Sequence, residues 1–295
     1  MPYVETKGGR IHYAREGHGP AVLLIQGVGV IGHGWKPQVD GLKDAFTLIS
    51  IDNRGIGRST SVQPPTIEDM AADALAVADA EGVERFHLVG HSMGGIISQQ
   101  VALQAPGRVL SLALLCTFLK GRQGTMIAPA MLGTAIRSRI GTKRMRRRAF
   151  VQLVMPRDYL AAQDRDRLCA DLGELFGRDL ADQPPIIMKQ LKAMGRFDAS
   201  TRLEALKDIP TLVVSAQHDC IARPQYGRAL AAAIPGAHYI EISGAGHAVV
   251  IQRADVVNQL LAEHFDRALS LLPSPFSLER VPDSSPTLDT TRPPD

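Results

Sequence analysis

Six short apolar runs recur along the chain: "AVLLIQ" (21–26), "FTLISID" (46–52), "FHLVG" (86–90), "LSLALLC" (110–116), "TLVVSA" (211–216) and "AHYIEI" (237–242). Runs this short, nearly all apolar and rich in branched side chains, suit strands covered on both faces. Helical patterns lie between several of them. Thr66, with Asp69 three residues on, forms a capping-box pattern that opens a helix over 67–81. Pro106–Gly107 closes the helix that begins after Ser92, and a last long helix is predicted over 254–270. Strand and helix in alternation predict an α/β fold with a mostly parallel central sheet flanked by helices.

The strand signal stops between about Phe118 and Ser200, where the composition is helical and broken at Gly141, Pro156 and Pro184–Pro185. Since this stretch sits between two core strands, it is predicted to be an inserted helical lid. The expected organisation is a core made of 1–117 and 201–271, a lid over 118–200, and a flexible tail over 272–295, rich in Pro, Ser and charge.

A chain of 295 residues, 45% hydrophobic, can bury a large core. Its formal net charge of +3 is too small to argue for a nucleic-acid partner. The first twenty residues hold no apolar stretch of signal-peptide length, and no later segment is long and uninterrupted enough to span a bilayer. Cys116, Cys169 and Cys220 are widely spaced and fit no metal-ligand pattern, which suits a reducing compartment. A cytoplasmic location is expected.

The stretch "LVGHSMGG", Leu88 to Gly95, places Ser92 at G-x-S-x-G spacing. The motif is short enough to recur by chance, so its flanks decide its meaning. An apolar strand runs into Gly90, and a helical pattern starts at Met93, which is the strand, turn and helix that a nucleophilic serine in this motif needs. Ser92 would then stand at the carboxyl end of the sheet, with the Met93 amide at a helix N-terminus aimed at the same space.

A serine hydroxyl needs a base to take its proton, and the base needs an acid to orient it. Of nine histidines, His247 in "SGAGHAVV" follows the last core strand in a loop free to point inward. His91 leaves its strand on the side opposite Ser92 and reads as a packing residue. Asp219, in "QHDCIARP", lies at the carboxyl end of the strand 211–216, whereas Asp208 precedes that strand. Asp219 is therefore the best-placed acid.

Four landmarks in register, "LLIQGVG", "IDNRGIGRS", "LVGHSMGG" and the pair "QHD" with "GAGH", resemble the lidded esterase and lipase group of the α/β-hydrolase fold over roughly residues 10–268. The resemblance implies a covalent acyl-enzyme mechanism on a small-molecule ester, with Ser92, Asp219 and His247 as triad and the amides of Val28 and Met93 as oxyanion donors. It implies neither a metal nor an organic cofactor. Serine at the turn, where dehalogenases and epoxide hydrolases of this fold carry aspartate, argues against those two activities. Haloperoxidase or perhydrolase chemistry, C–C bond hydrolysis and a ligand-receptor role on the same scaffold stay open.

Family members usually carry a histidine where this chain has Gln26; its amide is expected to brace the loop, while Gly27 and Gly29 let the backbone approach. Arg54 and Asp52 are expected to form a structural ion pair. The basic run "RSRIGTKRMRRR" reads first as a solvated helix face. The alternative, not favoured, is attraction of a membrane surface or an acidic carrier protein.

Overall fold

The computed structural model describes residues 2–126 and 129–272; the expected tail, beyond Leu272, lies outside the described residues. Eight strands form one sheet: β1 (Tyr3–Thr6), β2 (Gly9–Gly17), β3 (Ala21–Ile25), β4 (Thr47–Ile51), β5 (Phe86–His91), β6 (Val109–Leu115), β7 (Thr211–Ala216) and β8 (His238–Ile242). Their order is β1-β2-β4-β3-β5-β6-β7-β8. The β1–β2 and β2–β4 pairings are antiparallel, and the remaining pairings are parallel.

All six apolar runs are strands within two residues of their predicted ends. The first two strands were not expected from the sequence. Their alternating or polar residues leave them half-exposed, in contrast to β4, β5 and β7, which are buried throughout.

The core helices are α1 (Lys36–Leu42), α2 (Ile67–Ala80) and α3 (Met93–Gln104). The capping box at α2 is complete: the Asp69 amide donates to Thr66 Oγ1, and the Thr66 amide donates to the Asp69 carboxylate. Between β6 and β7 come α4 (Arg122–Thr125), α5 (Leu132–Arg137), α6 (Lys143–Val154), α7 (Arg157–Ala161), α8 (Arg165–Phe176) and α9 (Pro185–Arg196). After β7 follow α10 (Pro224–Ala233), α11 (Val249–Gln252) and α12 (Ala254–Ser270). No helix among the described residues is long and apolar enough to cross a membrane.

Two apolar clusters hold the molecule together. The larger joins the sheet to its flanking helices. The smaller belongs mainly to the insertion, around Val151, Leu160, Leu172 and Phe176, and reaches the rest of the chain through Val30 and Ala248. The basic run is largely neutralised within the insertion: Arg144 and Arg148 pair with Asp166, while Arg147 and Lys143 pair with Asp179.

The expected Arg54–Asp52 pair does not form. Arg54 makes a two-pronged, buried ion pair with Asp73 of α2, at 2.8 and 2.7 Å. Asp52 instead accepts from the Gly32 amide at 2.7 Å and the Arg58 amide at 3.1 Å, and lies 3.0 Å from His12 Nδ1. Both residues brace the turn after β4, but with different partners. A buried guanidinium is best satisfied by a carboxylate that meets its fork squarely, and the helix face supplies one.

Two histidines, His87 buried and His264 half-buried, link the sheet to α12. His87 Nδ1 lies 2.8 Å from Ser111 Oγ, and His264 Nε2 lies 3.2 Å from the Leu112 carbonyl oxygen. Burial pushes each pKa down from 6.5 to about 4. The unfolded chain therefore binds more protons than the folded one between pH 6.5 and 4. The stability that these groups contribute is complete above pH 6.5 and is lost as pH falls toward 4. Each should cost on the order of 3 kcal/mol by the end of that window. Urea unfolding at pH 7, 5.5 and 4.5 should show this decline, and His264→Gln should shallow it.

Candidate active site

Ser92 stands between β5 and α3 with φ 55° and ψ −119°, a left-handed conformation rare for a side chain larger than glycine. The turn is held from several directions. The Ser92 amide donates to the Leu115 carbonyl at 2.9 Å, and Thr117 Oγ1 donates to the Ser92 carbonyl at 2.7 Å. Close approach explains Gly94, where a Cβ would overlap the Ile25 carbonyl group across the α3–β3 contact. Gly27 is a second close approach, since a Cβ there would lie 3.1 Å from Ser92 Cβ.

The three residues singled out from the sequence meet in space. His247 Nε2 lies 3.0 Å from Ser92 Oγ, and His247 Nδ1 lies 2.7 Å from Asp219 Oδ2. A carboxylate only accepts, so Nδ1 carries the proton and Nε2 is left to accept from the serine hydroxyl. Asp219 Oδ1 accepts from the Ile221 and Ala222 amides at 2.7 and 2.8 Å. Burial opposes ionisation of Asp219, but His247 and these two amides outweigh it and hold the pKa below 3.8.

His91 is not part of this relay, yet it lies against it. Its Nε2 donates to the His247 carbonyl at 2.8 Å, and its ring centre is 4.9 Å from that of His247. Burial, with His247 nearby, lowers its pKa to about 3, so it braces His247 as a neutral ring. His91, Cys116 and His247 bring ligand-type atoms within 4.8 Å of one another. Both His247 nitrogens are already engaged, and burial first, then Asp219, raises the Cys116 thiol well above its ordinary pKa. The group packs as a protonated thiol beside two imidazoles.

The loop 26–30 faces Ser92. Gln26 is buried, but its side chain reaches only the neighbouring amide, with Oε1 accepting from Gly27 N at 3.2 Å. Longer-range ties come from residues that sequence reasoning did not single out. Asn53 Nδ2 donates to the Gln26 carbonyl at 2.8 Å. Gln190 of α9, fully buried, accepts from the Gly29 amide at 3.0 Å, and Arg178 Nε donates to the Gly29 carbonyl at 3.1 Å. Gly29 adopts φ +71°, so it serves the turn itself. These bonds leave the Val28 amide out, and Met93 is the first residue of α3, where a helix offers its amide no internal acceptor. Both belong to the neighbourhood of Ser92 Oγ.

A cavity of about 630 Å³ opens beside Ser92 and His247. The core supplies Gln26, Val28 and Ile251, and the insertion supplies Phe150, Ile187 and Met194 among others. Its wall is mainly apolar.

The sequence model of a family described as alpha/beta hydrolase fold matches residues 20–254. RutD of Azorhizobium caulinodans, named as a candidate carbamate hydrolase, is 31% identical over 270 residues, covering 88% of this chain and 97% of its own. The enol-lactonase of Burkholderia xenovorans LB400 superposes with a TM-score of 0.73 at 27% identity, covering 90% of this chain and all of that one. Est816, described as an N-acyl homoserine lactone degrading enzyme, gives 0.73 and 27%, covering 89% of this chain and 99% of its own.

Proposed function

Because this chain belongs to the alpha/beta hydrolase family, we propose that it is a serine hydrolase of carboxylic esters, acting through Ser92, His247 and Asp219. The observation that carries this reading is the hydrogen-bonded chain from Ser92 Oγ through His247 to Asp219 at 3.0 and 2.7 Å, facing an apolar cavity.

His247 takes the hydroxyl proton as Ser92 Oγ attacks the ester carbonyl, and Asp219 stabilises the imidazolium that forms. The amides of Val28 and Met93 donate to the developing oxyanion. His247 then protonates the leaving alcohol. Water, deprotonated by the same imidazole, attacks the acyl-serine, and the acid leaves as Oγ regains its proton.

The likeness to RutD supports a second reading, in which the carbonyl attacked belongs to a carbamate. The nucleophile and oxyanion donors would be the same, and the difference lies in the leaving group. A serine-directed fluorophosphonate followed by peptide mass spectrometry should place the label on Ser92. Aryl esters and aryl carbamates of one phenol would then separate the two readings by kcat/KM. Labelling elsewhere, with Ser92 unmodified, would overturn both.

The loop ties suggest a further expectation. Gln190→Leu removes the acceptor for the Gly29 amide and leaves the loop free to shift. The effect should fall on kcat, by about tenfold, with KM nearly unchanged, because a displaced oxyanion donor is felt in the transition state. Gln190→Glu keeps an acceptor there and should recover most of the rate.

A further inference from the structure

The cavity beside Ser92 has a one-sided charge. Among the described residues, Arg139, Arg178 and Lys192 line it, and no aspartate or glutamate does. Arg139, between α5 and α6, and Lys192 of α9 are both exposed, so they stand at its mouth. Among the described residues neither has a carboxylate within ion-pairing distance, unlike Arg144, Arg147 and Arg148 of α6, which are taken up by Asp166 and Asp179. The basic run thus divides: Lys143, Arg144, Arg147 and Arg148 of α6 are paired within the insertion, while Arg139 lines the cavity.

Arg178 lies deeper and is half-buried. Its Nε and Nη1 donate to the backbone carbonyls of Gly29, Asp179 and Asp182 rather than to a carboxylate. Burial lowers its pKa from 12.5, with Asp182 and Asp179 only partly opposing the shift. Among the described residues the charged side chains that line the cavity are thus all cationic. Met126 and Met188, exposed and also lining the cavity, give its mouth an apolar border beside the two cations.

From this lining we propose that the ester taken by the cavity carries an anionic group, such as a carboxylate, which Arg139 and Lys192 hold at the mouth while the apolar part of the molecule reaches inward to Ser92. The proposal rests on Ser92 as the nucleophile. It narrows the substrate class to amphiphilic esters with a negative end. A neutral ester of the same length fills the same apolar space without the charged contact. The preference should appear mainly in KM, since the mouth holds the ground state and the transition state alike.

The test uses two p-nitrophenyl esters of equal chain length, one ending in methyl and one in carboxylate. It compares the parent protein with the double variant Arg139→Gln/Lys192→Gln. The parent should favour the carboxylate ester, and the double variant should lose roughly tenfold in kcat/KM on that ester while changing less than about twofold on the neutral one. Added salt should erode the preference of the parent and leave the variant unaffected. Labelling of Ser92 by a neutral and a carboxylate-bearing phosphonate repeats the comparison without turnover.

Equal rates on the two esters, or equal losses in the variant, would overturn the proposal while leaving the nucleophile assignment standing. Failure of both phosphonates to label Ser92 would instead remove the assignment on which the proposal rests. If the substitutions weaken co-sedimentation with phosphatidylglycerol vesicles and leave the soluble esters unaffected, the cations face a lipid surface and the proposal is wrong.

Discussion

Replacing Ser92 by alanine is expected to lower ester turnover by at least about 10⁴-fold while shifting the melting temperature by no more than about 2 °C. Oγ is the atom that His247 Nε2 faces at 3.0 Å. Alanine keeps the Cβ that packs beside Gly27 and the backbone bonds to Leu115 and Thr117. What remains should be the small rate supported by the oxyanion amides and the cavity. Asp219→Asn should fall less far, by about 10²- to 10⁴-fold, because an amide that donates toward Nδ1 turns the imidazole to the wrong tautomer but leaves the nucleophile in place. Initial rates on one aryl ester, with thermal melts of the same preparations, check both. Parent-level turnover in Ser92→Ala would remove Ser92 from the mechanism.

Gly94→Ala is expected to be the most damaging small substitution near the site, costing roughly 3 kcal/mol or more of stability and most of the activity. The added methyl would meet the carbonyl group of Ile25, which is main chain at the end of β3 and cannot rotate aside. Relief requires α3 to move away from the sheet, and α3 carries both Ser92 and the Met93 amide at its start. Stability and catalysis should therefore fall together, in contrast to Ser92→Ala. Chemical denaturation combined with kcat measures both quantities, and a folded, fully active Gly94→Ala protein would show that the crowding at the turn is not what selects glycine.

β3 to β7 were legible because burial on both faces makes a strand nearly all apolar, whereas β8, expected to be buried in the same way, is a half-exposed edge strand marked by its tyrosine and two isoleucines. α2 was legible because Thr66 and Asp69 declare its start. β1 and β2 were hidden by their exposure: "YVET" and "GRIHYAREG" alternate or end in charge, and nothing in such a stretch separates an edge strand from a loop. Ser92, His247 and Asp219 could be located because each follows a strand, so that topology alone carries them to one end of the sheet. The partner of Arg54 could not be read this way. Asp73 faces it only because α2 packs where it does, and Asp52, nearer in sequence, turns to loop amides. Gln190 was invisible for the same reason. It lies 161 residues from the glycine it holds, on an amphipathic helix where a buried glutamine carries no distinguishing pattern.

The separate apolar cluster of the insertion has a consequence for recombination between relatives. A segment that largely folds around its own centre, and meets the sheet core through Phe118, Leu119, Met194 and Phe197, is a unit of exchange with a defined seam. Swapping it with those seam residues kept would change the cavity wall and leave the packing of the sheet in place. Two of its side chains are nevertheless owed to the host, since Gln190 and Arg178 grip opposite ends of the Gly29 peptide unit and its neighbour. A chimera that imports a foreign segment without equivalents of this pair should fold, accept new molecules and turn them over slowly. Restoring the two residues in the graft is then the change that would return speed to the borrowed specificity.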